Sequence, residues 1–156
     1  MKNIATLNDT ATLAASLAPL LRAGDTLTLS GDVGAGKTTF AGFLLKALGW
    51  RAQVTSPTYT LVQTYDLPAF TVWHLDAYRL EQPCDLYVTG WQEAASGVRL
   101  VEWPEKIALL LPENRLELTL THGIEQASGE SRRCQLTPCG NWLLRLPPAL
   151  RRGQLS

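Results

Sequence analysis

A chain of 156 residues that is 46 % hydrophobic can bury one core of ordinary size and is too short for two typical domains, so one domain over residues 1–156 is expected. Fourteen basic and fourteen acidic residues cancel to a formal net charge of zero, which argues against non-specific nucleic-acid binding through a broad basic surface. No apolar run approaches the roughly 20 residues of a membrane span and the N-terminus has no charged stretch leading into an apolar one, so the expectation is a soluble cytoplasmic protein without membrane contact.

Taken in order, Asp9-Thr10 reads as a helix cap, followed by Leu13, Leu17, Leu20 and Leu21 at helical spacing until Gly24 stops the run. Asp25 to Ser30 alternates and is rich in Thr and Leu, the pattern of a strand. A second helix is predicted from about Thr38 to Leu48, with Gly49 as its stop. Ser56-Pro57-Thr58 is a polar turn, and Tyr59-Thr60-Leu61-Val62 after it reads as a strand. Phe70 to Leu75 is another strand with Asp76 at its carboxyl end. Leu80 to Ala95 mixes helix and turn, and Gly97 to Val101 is a short apolar strand that runs into Glu102-Trp103-Pro104-Glu105. Beyond Pro112, Arg115 to Thr121 alternates, Arg133 to Leu136 does so weakly, and Trp142 to Leu146 is apolar, so the last forty-odd residues read as antiparallel strands at a sheet edge. Pro147-Pro148 and Arg151 to Ser156 look like a fraying tail. Cys84, Cys134 and Cys139 carry no metal-ligand spacing and read as free thiols, and His74 and His122 form no ligand cluster.

The chemistry is concentrated between the first strand and the second helix. Gly31-Asp-Val-Gly-Ala-Gly-Lys-Thr-Thr39 matches Gly-x4-Gly-Lys-Thr, the loop that wraps a nucleoside triphosphate. Such a loop turns its backbone N–H groups inward, and side chains at Gly31, Gly34 and Gly36 would obstruct the turn or the phosphates. Lys37 is placed to meet the outer phosphates, the Thr38 hydroxyl to ligate Mg²⁺, and the helix that follows to lend its positive end. A site of this kind needs an acidic partner for the metal or the attacking water, normally at the end of a neighbouring strand. Asp76 and Glu102 both satisfy that placement, and spacing does not choose between them. Arg79 could pair with Asp76 or with phosphate. Ser56-Pro57-Thr58 is placed to order and disorder with the terminal phosphate, and Trp103 to stack on a base, face a partner or pack beneath the loop. The fold expected is α/β, a P-loop NTPase-like three-layer arrangement with a mixed, mainly parallel sheet and C-terminal antiparallel strands.

Four segments in order, residues 31–39, Thr55-Ser-Pro-Thr-Tyr-Thr-Leu61, His74-Leu-Asp-Ala-Tyr-Arg-Leu80 and Val101-Glu-Trp-Pro-Glu105, resemble the bacterial TsaE (YjeE) family of P-loop ATPases. The resemblance implies an ATP-hydrolysing component of the machinery that makes N6-threonylcarbamoyladenosine in tRNAs reading codons that start with A. It acts there with TsaD and TsaB, TsaD doing the transfer, and touches tRNA only indirectly. It implies that Gly34, Ala35, Gly36, Lys37, Thr38 and Thr39 bind the phosphates, that Thr38 and Glu102 serve Mg²⁺, and that Asp76 is the second acid. Ser56 to Thr58 is then the switch-like loop and Trp103 lies near nucleotide or partner. Asp9 to Thr12 and Arg132 or Arg133, with Arg133 taken as the contact, are implied to approach the nucleotide. Cys84-Asp85-Leu86 and Trp91 depart from the family pattern and bear on partner contacts. A small-molecule kinase would need an arginine-bearing lid, and none is present; a GTPase would need Asn-Lys-x-Asp, which does not occur. A non-catalytic ATP-gated binding module uses the same loop and predicts binding without turnover.

Overall fold

The computed structural model describes the chain except for Met1, Ala5, Ser56, Thr58, Tyr59, 124–131 and 152–156. Its centre is β2 (Thr26–Ser30), which carries the phosphate-loop motif at its carboxyl end. Leu27 and Leu29 turn to one face and Thr26 and Thr28 to the other, and all four are buried, so β2 is covered on both sides. Parallel partners flank it: β6 (Arg115–His122) on one side and β5 (Val98–Glu102) on the other, with β4 (Thr71–Asp76) parallel beyond β5. Antiparallel strands finish both edges, β3 (Val62–Asp66) on β4, and β7 (Arg132–Cys139) followed by β1 (Lys2–Ile4) beyond β6, in the order β1-β7-β6-β2-β5-β4-β3. The sheet is therefore mixed as expected, parallel through its middle four strands, with antiparallel pairs at the β3 edge as well as at the C-terminal one.

On one face α1 (Leu7–Leu17) and α2 (Lys37–Ala47) pack on Leu27, Leu29, Val72, Leu100 and Leu118. The other face carries short 3₁₀ segments, Pro83–Thr89, Glu93–Ser96 and Pro104–Leu110, over Leu75 and Val101. Proline opens two of these segments, and Gly90 in the left-handed region (φ 87°) ends the first. The cap of α1 lies three residues earlier than the sequence pattern suggested. Thr6 caps the helix, its hydroxyl accepting from the Asp9 N–H at 3.1 Å, while the Asp9 carboxylate accepts from the Thr6 N–H at 3.0 Å.

Strand Tyr59-Val62 begins later than expected, at Val62, because Leu61 adopts a left-handed backbone (φ 65°) that cannot continue a ladder. A second correction concerns the C-terminus: Trp142 to Leu146 is not a strand, since Trp142–Arg145 forms α3 and the Leu146 N–H donates to the Trp142 carbonyl at 2.9 Å. That turn puts Trp142 and Leu146 into the core together. The tail is likewise ordered as far as α4 (Pro148–Arg151), and residues 152–156 of the expected frayed end lie outside the described residues.

Arg145 explains why the turn is held. Its guanidinium forks onto Asp25 at 2.6 and 2.8 Å, donates to the Leu20 carbonyl at 2.7 Å and lies 4.1 Å from the centre of the Trp142 ring. Its hydrogen bonds to the Asp25 carboxylate hold the guanidinium pKa above its ordinary value. The clamp ties the C-terminus to the start of the strand that delivers the loop. Arg145→Ala is expected to cost about 2–3 kcal/mol, the scale of a charge-assisted bond with a buried carboxylate left behind, and to lower the midpoint of a thermal unfolding scan by roughly 4–12 °C. Arg145→Lys, which keeps the charge without the fork, should fall between.

Candidate nucleotide site

The loop between β2 and α2 is shaped by backbone demands. Gly31, Gly34 and Gly36 all have positive φ (144°, 82° and 104°). A side chain at Gly31 would overlap the carbonyl oxygen of Leu120 on β6, and one at Gly36 would stand 2.8 Å from Nη1 of Arg132. Ala35, between them, turns its methyl group into the core. Gly36 is the N-cap of α2 and offers no side-chain acceptor, so the first N–H groups of the helix are left for an anion.

Gly34, Gly36, Lys37, Thr38 and Thr39 form one wall of a cleft of about 460 Å³. The carboxyl ends of β4 and β5 supply Asp76, Glu102 and Trp103, with Tyr78 beside them, and the first residue of β7 supplies Arg132. Lys37 is buried at the base. Its Nζ donates to the carbonyl of Gly31 and, at 3.1 Å, to that of Asp32, and lies 4.1 Å from the centre of the Trp103 ring. Desolvation lowers its pKa below the usual lysine value even though Glu102, Glu105, Asp76 and Asp32 pull the other way. Burial thus outweighs the pull of the nearby acids on this ammonium.

Parity along the strands decides which side chains meet. In β4, Val72, His74 and Asp76 share a face; in β5, so do Val98, Leu100 and Glu102, and register places Asp76 opposite Glu102. Both acids are buried, 6 % and 3 % exposed. The Asp76 Oδ1 accepts from the Tyr78 N–H at 2.9 Å, which turns the chain at the end of β4. Glu102 has a less expected neighbour, His74, whose Nε2 lies 2.6 Å from Oε2. The sequence reading passed over His74, yet its parity with Asp76 was a usable signal.

Trp103 follows Glu102 with a left-handed backbone (φ 57°, ψ 51°), a conformation disfavoured for a bulky residue. The helix-like alternative is opposed by Pro104, which clashes with a preceding residue in the right-handed region. The kink aims the indole back over the cleft, where it stacks at a tilt on Tyr78 (centroids 4.9 Å apart) and lies next to Lys37.

Of the predicted site residues, Gly34, Gly36, Lys37, Thr38, Thr39, Asp76, Glu102 and Trp103 come together, whereas Gly31 and Ala35 shape the loop from behind. Arg132 lines the cleft and Arg133 does not. Adjacent residues of a strand point to opposite faces, so only one of this pair can reach the loop. Arg79 is exposed and outside the lining, and Asp9 to Thr12 on the first turns of α1 do not line the cleft either. Ser56 and Thr58 of the switch-like segment lie outside the described residues, and Pro57 between them is buried. At the segment's far end Leu61 donates to the Pro57 carbonyl at 2.8 Å and accepts from the Asp76 N–H at 2.9 Å, so its base is tied to the acid at the end of β4.

The donor set suits a hard cation held jointly with phosphate. Thr38, Asp76 and Glu102 offer oxygen, and among the described residues no cluster of three or more His, Cys, Asp or Glu could cage a metal by itself. That is the pattern of Mg²⁺, which is normally held by one or two protein oxygens together with substrate phosphates. Among the described residues no helix is long and apolar enough to cross a membrane.

The family model described as "Threonylcarbamoyl adenosine biosynthesis protein TsaE" matches residues 4–133. A Rickettsia bellii protein named tRNA threonylcarbamoyladenosine biosynthesis protein TsaE is 37 % identical over 131 residues, 83 % of this chain and 88 % of its own length. The Bacillus subtilis protein of the same name is 35 % identical, covering 85 % of this chain and 82 % of its own. The crystal structure of Bacillus subtilis YdiB superposes with a TM-score of 0.76 at 30 % identity, over 96 % of this chain and 93 % of that one.

Proposed function

This chain belongs to the TsaE family of tRNA threonylcarbamoyladenosine biosynthesis proteins, and from that premise we propose that it binds and hydrolyses ATP to support turnover of the modification machinery. The observation that carries the reading is one cleft in which a buried lysine, two buried strand-end carboxylates and the uncapped start of a helix meet around a glycine loop. In this reading the N–H groups of the loop and of the first turn of α2 hold the phosphates, and Lys37 exchanges its own loop's carbonyls for phosphate oxygens. Thr38 and Glu102, with Asp76 beside them, would hold Mg²⁺. When bound, that ion would supply charge neutralisation of the phosphates. Water attacks the terminal phosphorus, the bond to the bridging oxygen breaks, and ADP and inorganic phosphate leave. Arg132 stands where it can meet the anion from the β7 side.

The partners proposed are the TsaD and TsaB proteins, with tRNA reached through them. The segment around Pro57 would be the element that responds to nucleotide, since its base is hydrogen-bonded to Asp76. The decisive experiment is phosphate release from ATP by the purified chain, alone and with TsaD, TsaB and tRNA. Alone, turnover of about 10⁻² s⁻¹ or slower is expected, the range of P-loop NTPases awaiting a partner's help. Stimulation by the partners, together with modified adenosine that depends on ATP and this chain, supports the reading. Tight ATP binding without turnover even beside the partners would leave a nucleotide-gated binding module instead.

A further inference from the structure

His74 is an expensive residue to place where it stands. It is wholly buried on β4, on the face that carries the core residues Val72 and, across the register, Leu100. Its Nδ1 is buried without a hydrogen-bond partner. Burying an imidazole and leaving one nitrogen unsatisfied costs free energy that an aliphatic side chain at the same position would not. What the position obtains in return is one short hydrogen bond, from Nε2 to Oε2 of Glu102 at 2.6 Å. With the carboxylate ionised, Nε2 is the nitrogen that carries the proton and donates.

The bond is directed from inside the sheet toward the cleft. His74 lies two residues below Asp76 on β4, while Glu102 ends β5, so the imidazole reaches the carboxylate from the buried side. Holding Oε2 restrains the carboxylate of a residue that also lines the cleft. Without that bond Glu102 would be free to rotate about its side-chain torsions, because the nearby Lys37 ammonium donates to two carbonyls of its own loop. Hydrogen-bonded support of this kind behind a metal-binding carboxylate typically governs 10–100-fold in affinity or activity.

We infer that His74 is a positioning residue, holding the Glu102 carboxylate in the orientation that receives a divalent cation bound together with the nucleotide. The inference rests on the ATPase reading. It is tested with His74→Phe, which fills the space without a donor, and with His74→Gln and His74→Asn, whose amide nitrogens overlie Nε2 and Nδ1 respectively. Two quantities are read for each variant: Mg²⁺ dependence of ATP hydrolysis, and ADP affinity by calorimetry with Mg²⁺ and in its absence.

The phenylalanine variant should need about 10–100-fold more Mg²⁺ for half-maximal hydrolysis and lose the same factor in Mg²⁺-dependent ADP affinity, with metal-free ADP affinity within about twofold, since the phosphate loop is untouched. Glutamine should recover most of the loss and asparagine should not. Unaltered metal dependence in the phenylalanine variant, or equal behaviour of glutamine and asparagine, would overturn the inference. If the phenylalanine variant does not fold, the two amides decide between the same outcomes. An unaltered chain that neither hydrolyses ATP nor binds ADP in a metal-dependent way would remove the ATPase reading and this inference with it, whereas an active chain indifferent to these substitutions removes the inference alone.

Discussion

Lys37→Met is expected to reduce ATP hydrolysis to less than about 1 % of the unaltered rate, the scale of removing one preorganised electrostatic group from a phosphate site, without harming the fold. The two halves of that expectation have one origin. Lys37 is 6 % exposed, and the balance of burial against four nearby acids already disfavours its charge. Removing the charge therefore relieves a cost in the nucleotide-free chain, and methionine fills most of the volume without strain. What is lost, on the ATPase reading proposed above, is the cation that would meet the triphosphate. Thermal unfolding without nucleotide should stay within about 4 °C of the unaltered chain, while the rise in melting temperature on adding ATP and Mg²⁺ should vanish. A variant that melts normally and still hydrolyses ATP would show that the cleft is not where the chemistry happens.

How much of this could be read before any coordinates depends on what each residue is constrained by. The loop was legible because Gly31, Gly34 and Gly36 meet steric limits that only glycine satisfies, and such limits are written in residue type. Asp76 and Glu102 were legible as the polar ends of apolar strands, and the register sets them opposite each other without choosing a role for either. Other features depend on parity or on partners distant in sequence. Arg132 and Arg133 are adjacent and identical, and only the way β7 pairs with β6 and β1 decides which faces the loop. His74 reads as an isolated histidine until β4 and β5 are aligned. Trp142 to Leu146 is too short to show a helical period, and its turn is fixed by Arg145 reaching Asp25, 120 residues away. The antiparallel edge at β3 was equally hidden, since nothing in an apolar strand states the direction of its neighbour.

Glu102→Gln separates binding from turnover more cleanly than any other substitution in the cleft. The amide is nearly the same shape, and its oxygen can still accept from Nε2 of His74, so the 2.6 Å contact and the buried packing survive the change. The negative charge does not survive. On the proposed reading, a carboxylate that is 3 % exposed would face the triphosphate and repel it until a cation intervenes. Without Mg²⁺, the variant should therefore bind ATP as tightly as the unaltered chain or up to about tenfold more tightly, a change of about 1.4 kcal/mol. With Mg²⁺, its turnover should fall by about 10²- to 10³-fold. Asp76→Asn, measured beside it, addresses the question that strand-end placement leaves open. If Asp76 serves mainly to turn the chain through the Tyr78 N–H and to hold the base of the Pro57 segment, an amide oxygen keeps the first bond, the backbone N–H keeps the second, and turnover should fall less than in Glu102→Gln. Equal losses in the two variants would mean that both carboxylates bear on the reacting phosphate, and unchanged turnover in Glu102→Gln would remove Glu102 from the site's chemistry.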